Sequence, residues 1–471
     1  KFLFPAVLFL LIFALIKKML PENSLSGKLT AIMVGLFVTL GYDLIDYHLL
    51  ITRLGGYDGE ILSIWTRPVN PITGALILFS FLILLLSIIK EKENRYTPFI
   101  AGILLALSVG YIFTFGVASA ILGTLAIVFL AKKNFKILKK LCLILATGAI
   151  LDSIYFASVW KTVASGGTEI ALRNGMLITH APIFNKVLIT SLIIFAAISL
   201  FLYYKKRLSL NEPWFLFASS LLLGGLVAFN EQIITGKTIW PYHFVQYTIP
   251  IAIIVSVATL FFLVEPKLPK LWNIFMVIVI GLLIIFGAWN ASTYKYKIDD
   301  FKSLQKYQGI FSWLNENAPA DSVVLVKEKE ERLTRLIPAF TSSNVYITTY
   351  LSNTMPGERI FHNYQMKLRP NNIAAKDIRS YLSENEPEAR EYFYTDWQML
   401  FAKGRDQRIL PVLEEIAKAY EQTVKNDFQT ELKQYRLDYL ITENTSDSDT
   451  KKLLPRAEKV FETGSFKIYK F

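Results

Sequence analysis

Ten stretches of predominantly apolar residues follow one another through the first 294 positions, and none shows the period-two alternation of a half-buried strand. They lie near 2–20, 29–46, 71–89, 97–111, 113–131, 139–159, 184–203, 213–230, 242–264 and 271–290. A bilayer core takes about 20 such residues as one helix, because every backbone N–H and C=O must be satisfied within the segment. The pattern therefore predicts a polytopic α-helical membrane domain over 1–294. The run Thr97–Ala131 is too long for one helix and short for two, so a broken pair with its turn near Gly116 is expected.

From Ile298 the pattern changes to mixed polarity. Strands are expected at Ser322–Val326, Val345–Tyr350 and Leu437–Thr442, with a terminal hairpin joining Lys459–Glu462 to Phe466–Lys470 across Thr463-Gly464. Helices are expected around 301–314, 373–384, 386–402 and 408–427. Residues 295–471 thus read as a small α/β domain, the second of two.

Charge orients the chain. Residues 295–471 hold 27 Lys/Arg against 26 Asp/Glu, and residues 1–294 hold 23 against 12, so almost all of the net charge of +12 belongs to the membrane part. There the basic residues sit between apolar runs rather than on a soluble face interleaved with aromatics, which argues against nucleic acid as a partner. Lys17, Lys18, Lys28, Lys90, Lys92, Arg95, Lys132, Lys133, Lys136, Lys139, Lys140, Lys205, Lys206, Arg207, Lys267 and Lys270 fall on one side, sixteen in all. Lys1, Arg53, Arg67, Lys161, Arg173, Lys186 and Lys237 fall on the other, seven in all. Lys and Arg in short loops stay in the cytoplasm, so the C-terminal domain is expected to be extracytoplasmic. Lys1 would then be outside too, which leads one to expect at least one further helix upstream. The single cysteine, Cys142, permits no intramolecular disulfide and no cysteine-based metal site.

Candidate chemistry gathers at the outer ends of the helices. The first external stretch runs from Asp43 through His48, Asp58, Glu60 and Arg67 to Asn70 and Pro71. Asp58 or Glu60 suits a general base or a metal ligand, and the Arg67 guanidinium fork suits phosphoryl oxygens; a solvated loop explains the same composition. The second stretch, Ser165 to His180, adds Arg173, an external arginine against the charge bias. The third holds Asn230, Glu231, Gln232, Lys237, Trp240 and His243. Ionisable groups abutting hydrocarbon are functional by default, so Glu231 and His243 form the leading pair, against mutual pairing with Trp240 and Tyr242 as interfacial anchors. Asp152 stands alone near an outer helix end. In the α/β domain there is no phosphate loop, HExxH or GxSxG, and its one histidine, His362, reads as a partly buried loop residue.

Many helices, polar residues at their outer ends and one C-terminal α/β domain resemble the GT-C membrane glycosyltransferases. Thr66-Arg-Pro-Val-Asn-Pro71 and Asn230-Glu-Gln-Ile-Ile-Thr-Gly-Lys237 with His243 also resemble segments of uncharacterised bacterial proteins of that type. The resemblance implies transfer of a sugar from a polyprenyl-phosphate donor to an envelope glycan or protein acceptor on the external face, usually with inversion. It implies an acidic residue of the first external loop as base or as ligand to a divalent cation, Mg²⁺ or Mn²⁺; Asp58 and Glu60 are the residues available, with Glu231 and His243 beside them. Arg67, Asn70, Arg173, Gln232, Lys237 and Trp240 would contact substrate. Two other classes compete. A transporter would carry inverted repeats and mid-helix charges, and neither stands out here; a non-catalytic scaffold of the same architecture would look alike in sequence.

Overall fold

The computed structural model describes residues 3–21, 24–45, 64–66, 71–162, 168–174, 176–292, 297–328, 332–349, 354–371, 373–394 and 409–471. The chain divides into two compact units. One comprises 1–161 and 178–295, the other 162–177 and 296–471. The boundary near 295 is where the sequence pattern changes; the inclusion of 162–177 with the C-terminal unit is not legible in it.

The first unit is helical. Its main helices are α1 (Leu3–Met19), α2 (Leu25–Thr39), α3 (Ile72–Ile89), α4 (Thr97–Leu107), α5 (Ile112–Ala131), α6 (Phe135–Leu151), α7 (Ser153–Thr162), α8 (Lys186–Tyr204), α9 (Pro213–Ala228), α10 (Tyr242–Val264) and α11 (Pro269–Ser292). Among the described residues α3, α5, α8, α10 and α11 are long and apolar enough to cross a membrane, and α6 with α7 make a sixth if their 54° bend lies within one span. α2, α4 and α9 are apolar but shorter. Each of the ten apolar stretches coincides with a helix, but length singles out only these five or six. The outward faces fit a lipid solvent: fewer than a quarter of the α11 window is buried, and Phe275, Ile278, Leu282 and Ile285 all stand exposed along it.

The break between α4 and α5 lies at Ser108–Tyr111, not near Gly116 as the sequence suggests. Ser108 Oγ donates back to the Leu105 carbonyl at 2.5 Å, a 3₁₀ turn follows, and Tyr111 is extended at φ −140°. Gly116 instead sits inside α5, where a Cβ would come within 2.9 Å of the Phe244 ring. Small residues let these helices approach closely, as in other lipid-embedded bundles. Gly102 of α4 faces Thr147 of α6 in the same way, and Gly224 of α9 lies against the backbone of Ile121 in α5.

Hydrogen bonds join the basic loops at one end of this bundle. Lys90 Nζ donates to the Lys18 carbonyl, Lys136 and Lys140 pair with Glu91 and Glu93, Lys132 donates to the Leu210 carbonyl, and Arg207 to the Phe262 carbonyl. The sixteen-residue basic face of the sequence therefore maps largely onto one end, consistent with helices that alternate in direction.

The second unit carries a five-stranded sheet of β1 (Val323–Lys327), β2 (Asn344–Val345), β3 (Tyr439–Glu443), β4 (Glu458–Thr463) and β5 (Phe466–Lys470), in the order β2-β1-β3-β5-β4. β2, β1 and β3 are parallel, and β5 and β4 are antiparallel additions. Parallel strands buried on both faces need continuous apolar runs, which Val323-Val-Leu-Val326 supplies; four of the five residues of β1 are buried. Thr463 pairs with Phe466, so the hairpin turns on Gly464-Ser465, one residue later than expected, with Gly464 at φ +56°. The expected strand to Tyr350 ends at Val345. Beyond it side chains take over: Asn363 Nδ2 donates to the Tyr346 carbonyl at 2.6 Å and Arg335 Nε to Thr349 Oγ1 at 3.0 Å.

The main helices of the unit are α12 (Gln308–Asn317), α13 (Arg332–Phe340), α14 (Gly357–Leu368), α15 (Ile378–Glu384), α16 (Glu386–Phe393) and α17 (Ile409–Thr423). α13 and α14 are absent from the sequence reading. Pro338 inside α13 and the polar run Gly357–Lys367 mask their periodicity. His362 lies on α14 rather than in a loop; it is buried, with Nε2 at 3.1 Å from the Glu431 carbonyl, a structural position.

Glu328, directly after β1, accepts from the backbone N–H of Leu333 and Thr334 at the start of α13 and from the Tyr307 hydroxyl at 3.2 Å. Burial, helped by the nearby Glu443 carboxylate, outweighs these bonds and pushes its carboxyl up to about 7 from an ordinary 4.5. A folded-state value above the unfolded one means that the native state binds more protons between the two. The stabilisation is present below pH 4.5 and is lost as pH rises through about 7. Glu328→Gln is expected to flatten that decline by on the order of 2 kcal/mol, discounted for residual solvent contact. Thermal unfolding between pH 5 and 8 measures it; parallel curves for the two proteins would contradict the assignment.

Candidate functional site

At the end of the bundle away from the basic loops, three segments meet. The first is the break at Tyr111. The second is the head of α10, where Gln246 and Tyr247 lie one turn beyond His243. The third is Pro71, at the start of α3. The Tyr111 hydroxyl lies 2.5 Å from His243 Nδ1 and donates to Gln246 Oε1 at 3.2 Å. Tyr247, fully buried, donates to the Pro71 carbonyl at 3.1 Å. Gly74, one turn into α3, has no room for a Cβ, which would fall 2.2 Å from Thr114 Oγ1 and 2.3 Å from the Tyr247 hydroxyl. Aromatic rings close the cluster: Phe113 lies 4.7 Å and Trp240 5.3 Å from the His243 ring, centroid to centroid. A polar network inside an apolar wall is stiff and selective, because each group lost from it leaves a buried partner unpaired.

The loop between α9 and α10 carries the other half. Asn230 Oδ1 accepts from the Ile183 N–H at 2.8 Å, and Gln232 Nε2 donates to the Ala181 carbonyl at 3.1 Å. The Thr179 N–H donates to the Gly236 carbonyl at 3.0 Å, and His180 Nδ1 lies 3.1 Å from the Ile233 carbonyl. Gly236 is left-handed at φ +72°, and a Cβ there would press within 3.0 Å of the His180 ring. The 179–183 segment is thus stitched to 230–236. Trp240 is also left-handed, at φ +43°, a costly conformation for a bulky residue, and it holds the turn into Pro241 and α10.

Within this frame Glu231 is set apart. It is half-buried, and among the described residues it carries no ion pair and its Oε2 has no hydrogen-bond partner. Burial raises its carboxyl above the ordinary range; the nearby Thr238 hydroxyl and the backbone N–H of Glu231 itself pull the other way without winning. The mutual pairing of Glu231 with His243, the alternative to a functional role, is not seen among the described residues. His243 spends Nδ1 on Tyr111 instead.

The remaining sequence candidates divide. Asp58, Glu60, Arg67 and Asn70 lie outside the described residues, though Thr66 and Pro71 bracket the last two; Trp65 Nε1 donates to the Val38 carbonyl at 2.7 Å, and the Trp65 ring packs edge-on against Tyr42. Lys237 is exposed. Gln232 is fully buried, with its amide nitrogen committed to Ala181 and its Oε1 without a partner among the described residues. Arg173 belongs to the other unit, where it is buried and Nη1 donates to the Met355 carbonyl at 3.0 Å. That bond accounts for an arginine that the charge pattern made conspicuous. Asp152 is buried at the bend between α6 and α7, as its C-cap.

Tyr111 was not legible as a site residue. Its only signal is Gly110-Tyr111 at a break between apolar runs, and its partner lies 132 positions away. Among the described residues no three His, Cys, Asp or Glu side chains stand together as a metal site. No protein-family model matches the chain, and no curated protein matches it.

Proposed function

We propose that this chain is a membrane glycosyltransferase of the GT-C type, moving a sugar from a polyprenyl-phosphate donor to an envelope glycan or protein acceptor at the extracytoplasmic face. The reading takes the ten helical segments as spans and the C-terminal unit as extracytoplasmic, from the distribution of basic residues. The observation that carries it is Glu231: a half-buried carboxyl with raised proton affinity and one oxygen without a partner among the described residues, on the loop leading into the Tyr111–His243–Gln246 network, at the bundle end opposite the basic loops.

The reaction asks for few groups. The acceptor hydroxyl oxygen attacks the anomeric carbon, the bond from that carbon to the phosphate oxygen breaks, and the acceptor proton passes to a base. Glu231 supplies a base whose affinity burial has moved towards neutrality. His243, oriented by Tyr111, supplies a donor or acceptor for sugar hydroxyls, and Trp240 an apolar face. Arg67 is the cation assigned to the leaving phosphate. The isoprenoid tail stays among helices already solvated by lipid.

The test is turnover. The full chain, purified in detergent, is incubated with polyprenyl-phosphate sugars, with and without Mg²⁺ or Mn²⁺, and followed by mass spectrometry. Consumption of one donor with release of polyprenyl phosphate is the expected result. A well-folded sample that binds none of them removes the reading.

A further inference from the structure

The C-terminal unit holds a cavity that the transfer reading does not use. It occupies about 470 Å³, within the ~300–1,000 Å³ of small-molecule sites. Its place follows from topology. β1 lies between its two parallel neighbours; the chain leaves the carboxyl end of β1 through α13 to β2 on one side, and returns later to β3 on the other. Connections that diverge from one strand leave a crevice beyond its carboxyl end, where ligands of open α/β sheets bind. Lys327 and Glu328, at that end of β1, line the cavity.

The lining is charged but balanced. Lys367 of α14 meets Glu388 of α16 at 2.7 Å, and Arg335 of α13 lies 3.7 Å from Glu391 of α16. Lys327 Nζ donates to the Pro370 carbonyl at 2.9 Å. An anionic ligand would have to draw these cations from partners they already hold, and a cationic one the carboxylates likewise. What the wall offers without loss is donors and acceptors side by side, since each carboxylate and ammonium keeps capacity beyond one bond. Vicinal hydroxyls, which donate and accept at once, match that alternation. Tyr381 and the rings of Pro370 and Pro387 supply apolar surface for C–H faces.

We infer that this cavity is a binding site for a neutral, hydroxyl-rich ligand of mono- or disaccharide size, distinct from the membrane-unit site. It stands on the cavity alone, so failure of the transfer reading leaves it intact.

The test uses the full chain in detergent micelles, titrated with glucose, mannose, galactose, N-acetylglucosamine and their β-linked disaccharides by saturation-transfer NMR, in parallel with inorganic phosphate. At least one sugar is expected to saturate with Kd on the order of 1 mM. Tyr381→Ala should weaken it about tenfold or more, and Glu391→Gln, which removes a charge but keeps the shape, should weaken it as well. Circular dichroism and the melting midpoint identify a variant that has unfolded; Glu391→Gln then decides alone. The inference is overturned if no sugar saturates by about 50 mM, if phosphate saturates in their place, or if folded variants bind as the parent does.

Discussion

Gly224→Val is expected to be the most damaging single substitution in the membrane unit. A Cβ at Gly224 would lie 2.6 Å from Ile121 Cα and 2.8 Å from Ile121 N, so the obstacle is the backbone of α5 and no rotamer change relieves it. α9 and α5 must separate, and the contacts along both helices loosen together. Overpacking a tight interior costs about 1–3 kcal/mol and occasionally more, and this site belongs at the upper end. Gly123, in α5 itself, is the control. Nothing approaches its Cβ position within 4 Å, so Gly123→Ala should be neutral or gain up to ~1 kcal/mol of helix propensity. Melting midpoints from fluorescence-detected size-exclusion chromatography compare the two. A Gly224→Val protein that elutes and melts like the parent would show that the two helices do not meet as described.

Glu231→Gln is expected to lower sugar transfer by about a hundredfold or more while leaving the fold intact. The exchange is isosteric and removes only the ability to take a proton, a role worth ~10²–10⁴ in rate. Stability should move the other way. A carboxyl whose folded-state affinity is raised destabilises the native state at pH values above that raised value, so the neutral glutamine should be tolerated or mildly favourable at neutral pH. Loss of turnover with an unchanged or higher melting midpoint separates a chemical role from a structural one. Arg67→Ala should also abolish transfer, through loss of the phosphate contact. If both variants turn over donor at the parental rate, the proposed site is wrong; if they alter solute flux in sealed vesicles without covalent product, transport takes its place.

The structural roles of Asn230 and Gln232 explain why this end of the bundle resists reading from sequence. In sequence Gln232 reads as a substrate contact and Asn230 as part of the same polar stretch, because polar side chains at a helix end in hydrocarbon ask for partners. Their partners turn out to be the Ile183 N–H and the Ala181 carbonyl, about fifty positions upstream. Arg173 likewise stands out in sequence because it breaks the charge bias, and its guanidinium is held by the Met355 carbonyl, 182 positions downstream. Polar residues chosen for loop-to-loop stitching and those chosen for substrate have the same composition, and only geometry separates them.

By itself the sequence determined the two-part organisation, the helical character of each apolar stretch, the basic end of the bundle and the strands β1, β3, β4 and β5. These follow from local rules: backbone groups in hydrocarbon must be satisfied within a helix, and a buried parallel strand must be apolar along its length. Tertiary structure alone decided the rest. It put the α4–α5 break at Tyr111 rather than Gly116, because close packing against Phe244 claims the glycine. It joined Tyr111 to His243 and left Glu231 with an oxygen unpartnered among the described residues. It drew residues 162–177 into the C-terminal unit and opened a cavity at the carboxyl end of β1. Each of these depends on which distant segments share a neighbourhood, and a contact between positions more than a hundred residues apart leaves no periodic trace in either.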